Sequence, residues 1–202
     1  MGKTVIFGGT FNPLHIGHEE MLSAINSLDS VDRILIVPTK IPPHKSVSFL
    51  ASDEARLEMC NLAAKKVSKA CVSDIELKRE GKSYTFDTLF MLKSKYPTEN
   101  FGLCIGGDML TSFKTWYNYE KILKLAELFV FSREHSESHV FMDEVDSLRS
   151  IGATVTLIDT KITTVSSTLI RENLDNHDLI SAYMSPEIIN FLESNNIYGE
   201  LN

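Results

Sequence analysis

Apolar residues fall along this chain in six short runs, and stretches of helical period separate them. The runs at 4–7, 33–38, 70–74, 101–105, 128–132 and 154–158 are mostly Val, Ile, Leu and Phe. That composition fits strands covered on both faces. Between the runs, apolar positions recur every three or four residues. In 16–28, Met21, Leu22, Ile25 and Leu28 share one face. Similar patterns predict helices at 53–67, 85–95, 118–125 and 142–150, then two more near 167–174 and 186–194. Pro186 suits a first helical turn, with Ser185 as its cap. Strand–helix alternation implies right-handed crossovers and an α/β fold with a doubly wound, mostly parallel sheet. Ligands of such sheets bind at the carboxyl ends of strands, near the reversal of strand order.

No internal repeat or low-complexity tract interrupts the pattern. At 202 residues and 43% hydrophobic content, the chain is expected to form one domain over 1–202. Twenty Lys and Arg stand against 27 Asp and Glu, a net charge of −7. That balance disfavours a nucleic-acid footprint, which needs a basic stripe, but leaves room for a nucleotide site with a few local cations. Cys60, Cys71 and Cys104 are widely spaced in apolar surroundings, as reduced core thiols are. No charged-then-apolar leader opens the chain and no apolar run approaches membrane-spanning length, so a cytoplasmic protein without a membrane partner is expected.

The candidate chemistry concentrates at residues 8–18: Gly8, Gly9, Thr10, Phe11, Asn12, Pro13, Leu14, His15, Ile16, Gly17 and His18. Paired glycines after a strand let a ligand approach the backbone. Two imidazoles three residues apart fall on one side of a first helical turn, where unpaired N–H groups already favour anions. Together they describe a phosphate site. A second stretch, 162–171, places Ser166 or Ser167 as cap of a short helix beginning near Thr168, with Arg171 one turn on as a fork for phosphate oxygens. A third, 37–45, ends in Pro42, Pro43, His44 and Lys45, a stiff rim carrying two cationic groups. Other motifs are absent. There is no Gly-x-Gly-x-x-Gly, and Gly81-Lys82-Ser83 is no P-loop, because Glu76 stands where its first glycine is needed. Residues 133–139 read as a solvated excursion. His135 and His139 lack partners for a metal, and no metal site is predicted.

His15-Ile16-Gly17-His18 resembles the signature of the nucleotidyltransferase α/β-phosphodiesterase superfamily. Four more motifs resemble its bacterial nicotinate-nucleotide adenylyltransferase family. They are the 37–45 string, Ser83-Tyr84-Thr85-Phe86-Asp87-Thr88, Gly106-Gly107-Asp108 with the tryptophan segment 113–117, and 162–171 with Val165 in place of isoleucine. The match runs from about residue 4 to 195. It implies a Rossmann-like nucleotidyltransferase fold, its C-terminal helices at about 167–195 completing an ATP site. The implied reaction joins ATP and nicotinate mononucleotide into deamido-NAD and pyrophosphate. ATP would meet Gly8, Gly9, Thr10, Phe11, His18, Gly106, Asp108, Ser166, Ser167, Thr168 and Arg171. His15, His18, Lys45 and Arg171 would carry catalysis, and Mg²⁺ would arrive on ATP. The mononucleotide would meet His44, Lys45, Tyr84, Thr85, Trp116 and Arg133, with Trp116 stacked on the pyridine ring. Asn12 departs from the aspartate of many relatives, a near-isosteric change that should keep the turn. Competing readings are an adenylyltransferase for nicotinamide mononucleotide or phosphopantetheine, a fragment of a class I aminoacyl-tRNA synthetase, and a nucleotide sensor without turnover. Oligomeric state is left open.

Overall fold

The computed structural model describes residues 2–41, 49–132 and 139–199. Six strands form one parallel sheet: β1 (Lys3–Gly9), β2 (Val31–Pro38), β3 (Ala70–Val72), β4 (Phe101–Gly106), β5 (Ala126–Phe131) and β6 (Val155–Ile158). Their order is β3-β2-β1-β4-β5-β6, so the winding reverses between β1 and β4. Every pairing is parallel, with Phe7 level with Ile36 on one side and Cys104 on the other. The expected α/β sheet is therefore present, with all six strands.

Alternation along the strands divides the apolar residues between two cores. Val5, Phe7, Ile34, Ile36, Cys104, Phe129 and Phe131 face one way, where α1 (Ile16–Asn26), α2 (Asp53–Ala64), α7 (Ser167–Arg171), α8 (His177–Tyr183) and α9 (Pro186–Ser194) cover them. Ile6, Leu103, Ile105, Leu128 and Val130 face the other, under α3 (Thr85–Lys95), α4 (Gly107–Leu110), α5 (Tyr119–Leu125) and α6 (His139–Ser150). Burial pushes the Cys60 and Cys104 thiols up, so both stay neutral and unreactive. Cys71 is also free but only half-buried.

Several details differ from the sequence expectation. The third strand ends at Val72, two residues early. α6 starts at His139, so that histidine opens a helix instead of closing a surface excursion. Two helices were not expected: α4, of four residues, follows β4 directly, and α8, of seven, starts at a cap of its own, Asn176, whose side chain accepts from the Leu179 N–H. Ser185 occupies the cap position of α9, but its hydroxyl donates to Glu19 Oε1 at 2.9 Å and leaves the helix start uncapped.

Candidate active site

The carboxyl ends of β1 and β4 flank the reversal point, and a cleft of about 770 Å³ opens there. Its floor is the turn after β1. A Cβ built on Gly8 would meet no atom within 4 Å, whereas one on Gly9 would strike the Phe11 ring at 2.7 Å. Gly8 thus bares backbone to open cleft, and Gly9 lets Phe11 fold underneath. Phe11 has a φ of 50°, a left-handed conformation costly for an aromatic residue. Its ring repays that cost by packing: it is 1% exposed, 5.6 Å from the Phe7 ring and 5.1 Å from that of His18.

The two histidines form one unit. Their rings stack at 3.7 Å between centroids, with 26° between planes. His15 precedes α1 as its cap, not within the first turn, and its backbone N–H donates to His18 Nδ1 at 3.3 Å. An accepting Nδ1 assigns the proton of the neutral ring to Nε2, which makes His18 a donor. Gly17, between them, is needed for packing, because a Cβ there would lie 2.9 Å from the Thr163 carbonyl oxygen. Thr163 is fixed in turn by Glu20, which accepts from its N–H at 2.6 Å and its hydroxyl at 2.8 Å. Helix α1 therefore sets the distance to the C-terminal part of the site.

That part is tied to the first turn more tightly than its sequence implies. The Ser166 hydroxyl caps the Leu169 N–H, and the Ser167 hydroxyl donates to the Pro13 carbonyl at 2.8 Å. Arg171 donates from Nη1 to the Asn12 carbonyl and from Nη2 to the Thr168 hydroxyl. Ser166, Ser167, Thr168 and Arg171 all line the cleft. In this state, however, the Arg171 fork holds the protein's own oxygens, so a phosphate must share or displace them. Asn12, 1% exposed, donates to the Phe49 carbonyl at 2.8 Å and accepts from the Ala51 N–H and the Tyr198 hydroxyl. An aspartate could not make the first of these bonds, so the asparagine is more than an isostere here.

The opposite wall suits an aromatic carboxylate. Tyr84 is the N-cap of α3, with no side-chain cap. Its own N–H is engaged by the Lys82 carbonyl at 3.2 Å, so the donors open to a ligand start one residue later than expected, at Thr85. Trp116 faces the same cleft and leans on Phe113 at 5.2 Å, while Tyr84 and Tyr117 meet at 4.9 Å beside it. Gly106 and Asp108 complete the rim at the start of α4. His15 and His18 are likewise in the cleft. His44, Lys45 and Arg133, with the rest of the proline-rich rim, lie outside the described residues.

Two charged residues near the cleft were not anticipated. Glu76, 7% exposed, accepts from the Thr88 hydroxyl at 2.7 Å, while its Oε2 has no hydrogen-bond partner among the described residues. Burial pushes its carboxyl above the ordinary range, against the opposing effect of the Thr88 and Ser83 hydroxyls and the Arg79 charge. Arg56 is fully buried in α2, behind the first turn. One signal for it was legible: a charge on the face shared by Ala55, Met59, Cys60 and Ala63. Nothing in the local pattern around Glu76 marks it. Among the described residues no three His, Cys, Asp or Glu side chains gather as metal ligands, and no helix is long and apolar enough to cross a membrane.

Comparison with known proteins adds four findings. Residues 6–173 match the family described as cytidylyltransferase-like. A probable nicotinate-nucleotide adenylyltransferase of Fusobacterium nucleatum is 36% identical over 95% of this chain and 97% of its own. Another from Listeria welshimeri is 34% identical over 98% of both chains. In architecture the chain is similar to a Plasmodium falciparum nicotinic acid mononucleotide adenylyltransferase complexed with NaAD, with a TM-score of 0.80 and 98% of each chain covered. At 22% identity that likeness speaks for the fold.

Proposed function

Because the chain belongs to the cytidylyltransferase-like family, and within it to the nicotinate-nucleotide adenylyltransferases, we infer that it transfers the adenylyl group of ATP to nicotinate mononucleotide, yielding deamido-NAD and pyrophosphate. One observation carries the reading on this chain's own residues. A single cleft opposes an open strand end at Gly8, beside His18, to the uncapped first turn of α3, beside Trp116. The first pair suits a nucleoside triphosphate and the second a pyridine carboxylate.

The mononucleotide phosphate attacks the α-phosphorus of ATP in line, forming a P–O bond as the bond to the β-phosphate oxygen breaks. A phosphate monoester has a second pKa near ~6 and is largely dianionic at neutral pH, so it attacks without a general base. Positioning and charge stabilisation then carry the rate. His18, donating from Nε2, meets the α-phosphate oxygens as their charge grows. His15 holds the His18 ring in place and adds its own partial charge beside it. Gly8, Gly9, Thr10 and Phe11 offer backbone to the same phosphate, and Gly106 and Asp108 border the nucleoside. Ser166, Ser167, Thr168 and Arg171 receive the leaving pyrophosphate once Arg171 turns from the Asn12 carbonyl. His44, Lys45 and Arg133 supply further positive charge around the mononucleotide. Mg²⁺ brought by ATP would offset the charge of the triphosphate, and Asp108, the exposed acid at the rim, is the cleft residue that could hold it directly or through water. Nucleotide substrates and free thiols favour a cytoplasmic enzyme.

Carboxylate recognition at the start of α3 sets the preference for the acid. Donors placed for a charged group are left poorly paired by a carboxamide. The deciding assay is pyrophosphate release with Mg·ATP, comparing nicotinate and nicotinamide mononucleotide. A kcat/KM at least about tenfold higher for the acid is expected, equivalent to about 1.4 kcal/mol. Equal or reversed values overturn the assignment of the acceptor, and absence of release with either overturns the reaction.

A further inference from the structure

Arg56 contributes nothing to the lining of the cleft, yet it holds the cleft's shape. Its guanidinium is 0% exposed and lies on the far side of the first turn. Nη1 donates to the Thr10 carbonyl at 3.0 Å and to the Thr39 carbonyl, Nε to the Ala51 carbonyl at 3.2 Å, and Nη2 to Asp53 Oδ1. Three segments therefore converge on one side chain: the turn after β1, the exit of β2, and the segment leading into α2. A buried charge with a single, one-third-exposed counterion is an expensive way to join loops. Apolar packing would do so at lower cost, which points to a role in orientation.

The peptide between Thr10 and Phe11 shows which orientation. In a trans peptide the C=O and N–H point in opposite directions. The Thr10 carbonyl points away from the cleft, to Arg56, so the Phe11 N–H points into it. That N–H makes no hydrogen bond among the described residues, although Phe11 itself is buried. The φ of 50° at Phe11 sustains this geometry, and without a grip on the Thr10 carbonyl the strained turn would relax. We propose that Arg56 is a positioning residue for phosphate binding: it fixes the Thr10–Phe11 peptide so that the Phe11 N–H is presented to the reacting phosphate. The same guanidinium ties the turn to Thr39 at the exit of β2 and to Ala51 before α2. The proposal rests on the adenylyl-transfer reading given above.

The test pairs two variants with a spectroscopic readout. Arg56→Lys keeps a charge but cannot reach three carbonyls at once. Asp53→Asn weakens the ion pair while leaving the carbonyl bonds in place. Arg56→Lys is expected to lower kcat by about tenfold or more, the order of losing one oriented donor, with KM for the mononucleotide nearly unchanged. Asp53→Asn is expected to lower the melting temperature and keep kcat. In the wild-type protein, the Phe11 amide proton should move downfield when a non-hydrolysable ATP analogue is added, and less so in Arg56→Lys. Activity falling in both variants in proportion to melting temperature would overturn the proposal. So would a Phe11 amide indifferent to the analogue in a wild-type enzyme that turns over, and this result decides the matter if Arg56→Lys does not fold. A wild-type protein whose Phe11 amide responds but which releases no pyrophosphate would sink the reaction and leave the positioning role standing.

Discussion

Gly17→Ala adds one methyl group, and the structure indicates where it must go. The new Cβ would stand 2.9 Å from the Thr163 carbonyl oxygen and 3.3 Å from His15 Nδ1. Ordinary contact begins near 3.4 Å, so about half an ångström must be found. Thr163 cannot give it cheaply, because Glu20 holds both its N–H and its hydroxyl. Alanine is favoured over glycine in a helix by about 1 kcal/mol, while overpacking costs about 1–3 kcal/mol. The net loss is then about 1 kcal/mol, or roughly 3 °C in melting temperature for a chain of this size. Activity should suffer more. The strain falls between the histidine pair and the segment that carries α7, so the two halves of the phosphate site separate. A misplacement of 1 Å can cost about a hundredfold in rate, so half of that predicts about tenfold. Steady-state pyrophosphate release beside a thermal melt provides the comparison. A variant as stable as wild type and equally fast would refute the packing argument and return Gly17 to an ordinary helix position.

Other outcomes follow from the same geometry. Gly8→Ala meets no neighbouring atom, so the melting temperature should hold or rise slightly, while KM for ATP climbs about tenfold as the methyl occupies the cleft; an unchanged KM would remove Gly8 from the ATP site. His18→Ala should lower kcat by about a hundredfold with a modest change in melting temperature, and an unchanged kcat would exclude the residue from the mechanism. Burial raises the Glu76 carboxyl above its usual 4.5, so the folded chain binds that proton more tightly than the unfolded and loses stability as pH rises through the interval above 4.5. Glu76→Gln stays neutral, so its melting temperature should gain on the wild type as pH rises above 4.5; a difference that is flat, or that shrinks, would mean Glu76 titrates as an ordinary carboxylate.

The sheet was legible because each strand is a compact apolar run, and the two-face alternation of residues such as Val5, Ile6 and Phe7 gives its burial directly. The four-residue α4 was not, since so few positions cannot display a period, and α8 was missed because the apolar pattern near 167–174 was read as one helix ending before Asn176. At the site, residue types could be read but not their commitments. Ser166 and Ser167 were recognisable as a helix start, yet only the fold shows that their hydroxyls serve Leu169 and Pro13. The Tyr84 N–H belongs to Lys82 for the same reason: a turn of the backbone decides it, and side-chain identity does not. Arg56 was detectable as a charge on an apolar face, whereas Glu76 depends on contacts with Ser83 and Thr88 that arise only after folding.

The bonds between the two ends of the chain also have a consequence in time. Asn12 meets the Tyr198 hydroxyl across 186 residues, Arg171 reaches the Asn12 carbonyl across 159, and Thr163 reaches Glu20 across 143. During synthesis the glycine turn and both histidines leave the ribosome well before residues 163–198. Until α7, α8 and α9 arrive, Asn12 lacks Arg171 and Tyr198, and the pyrophosphate side of the cleft does not exist. Capacity to hold a triphosphate therefore switches on well after the glycine turn is made, and nucleotide binding by a nascent chain would report that residues 163–198 have docked. Such distant closures also raise contact order, which predicts slow folding for a domain of this size.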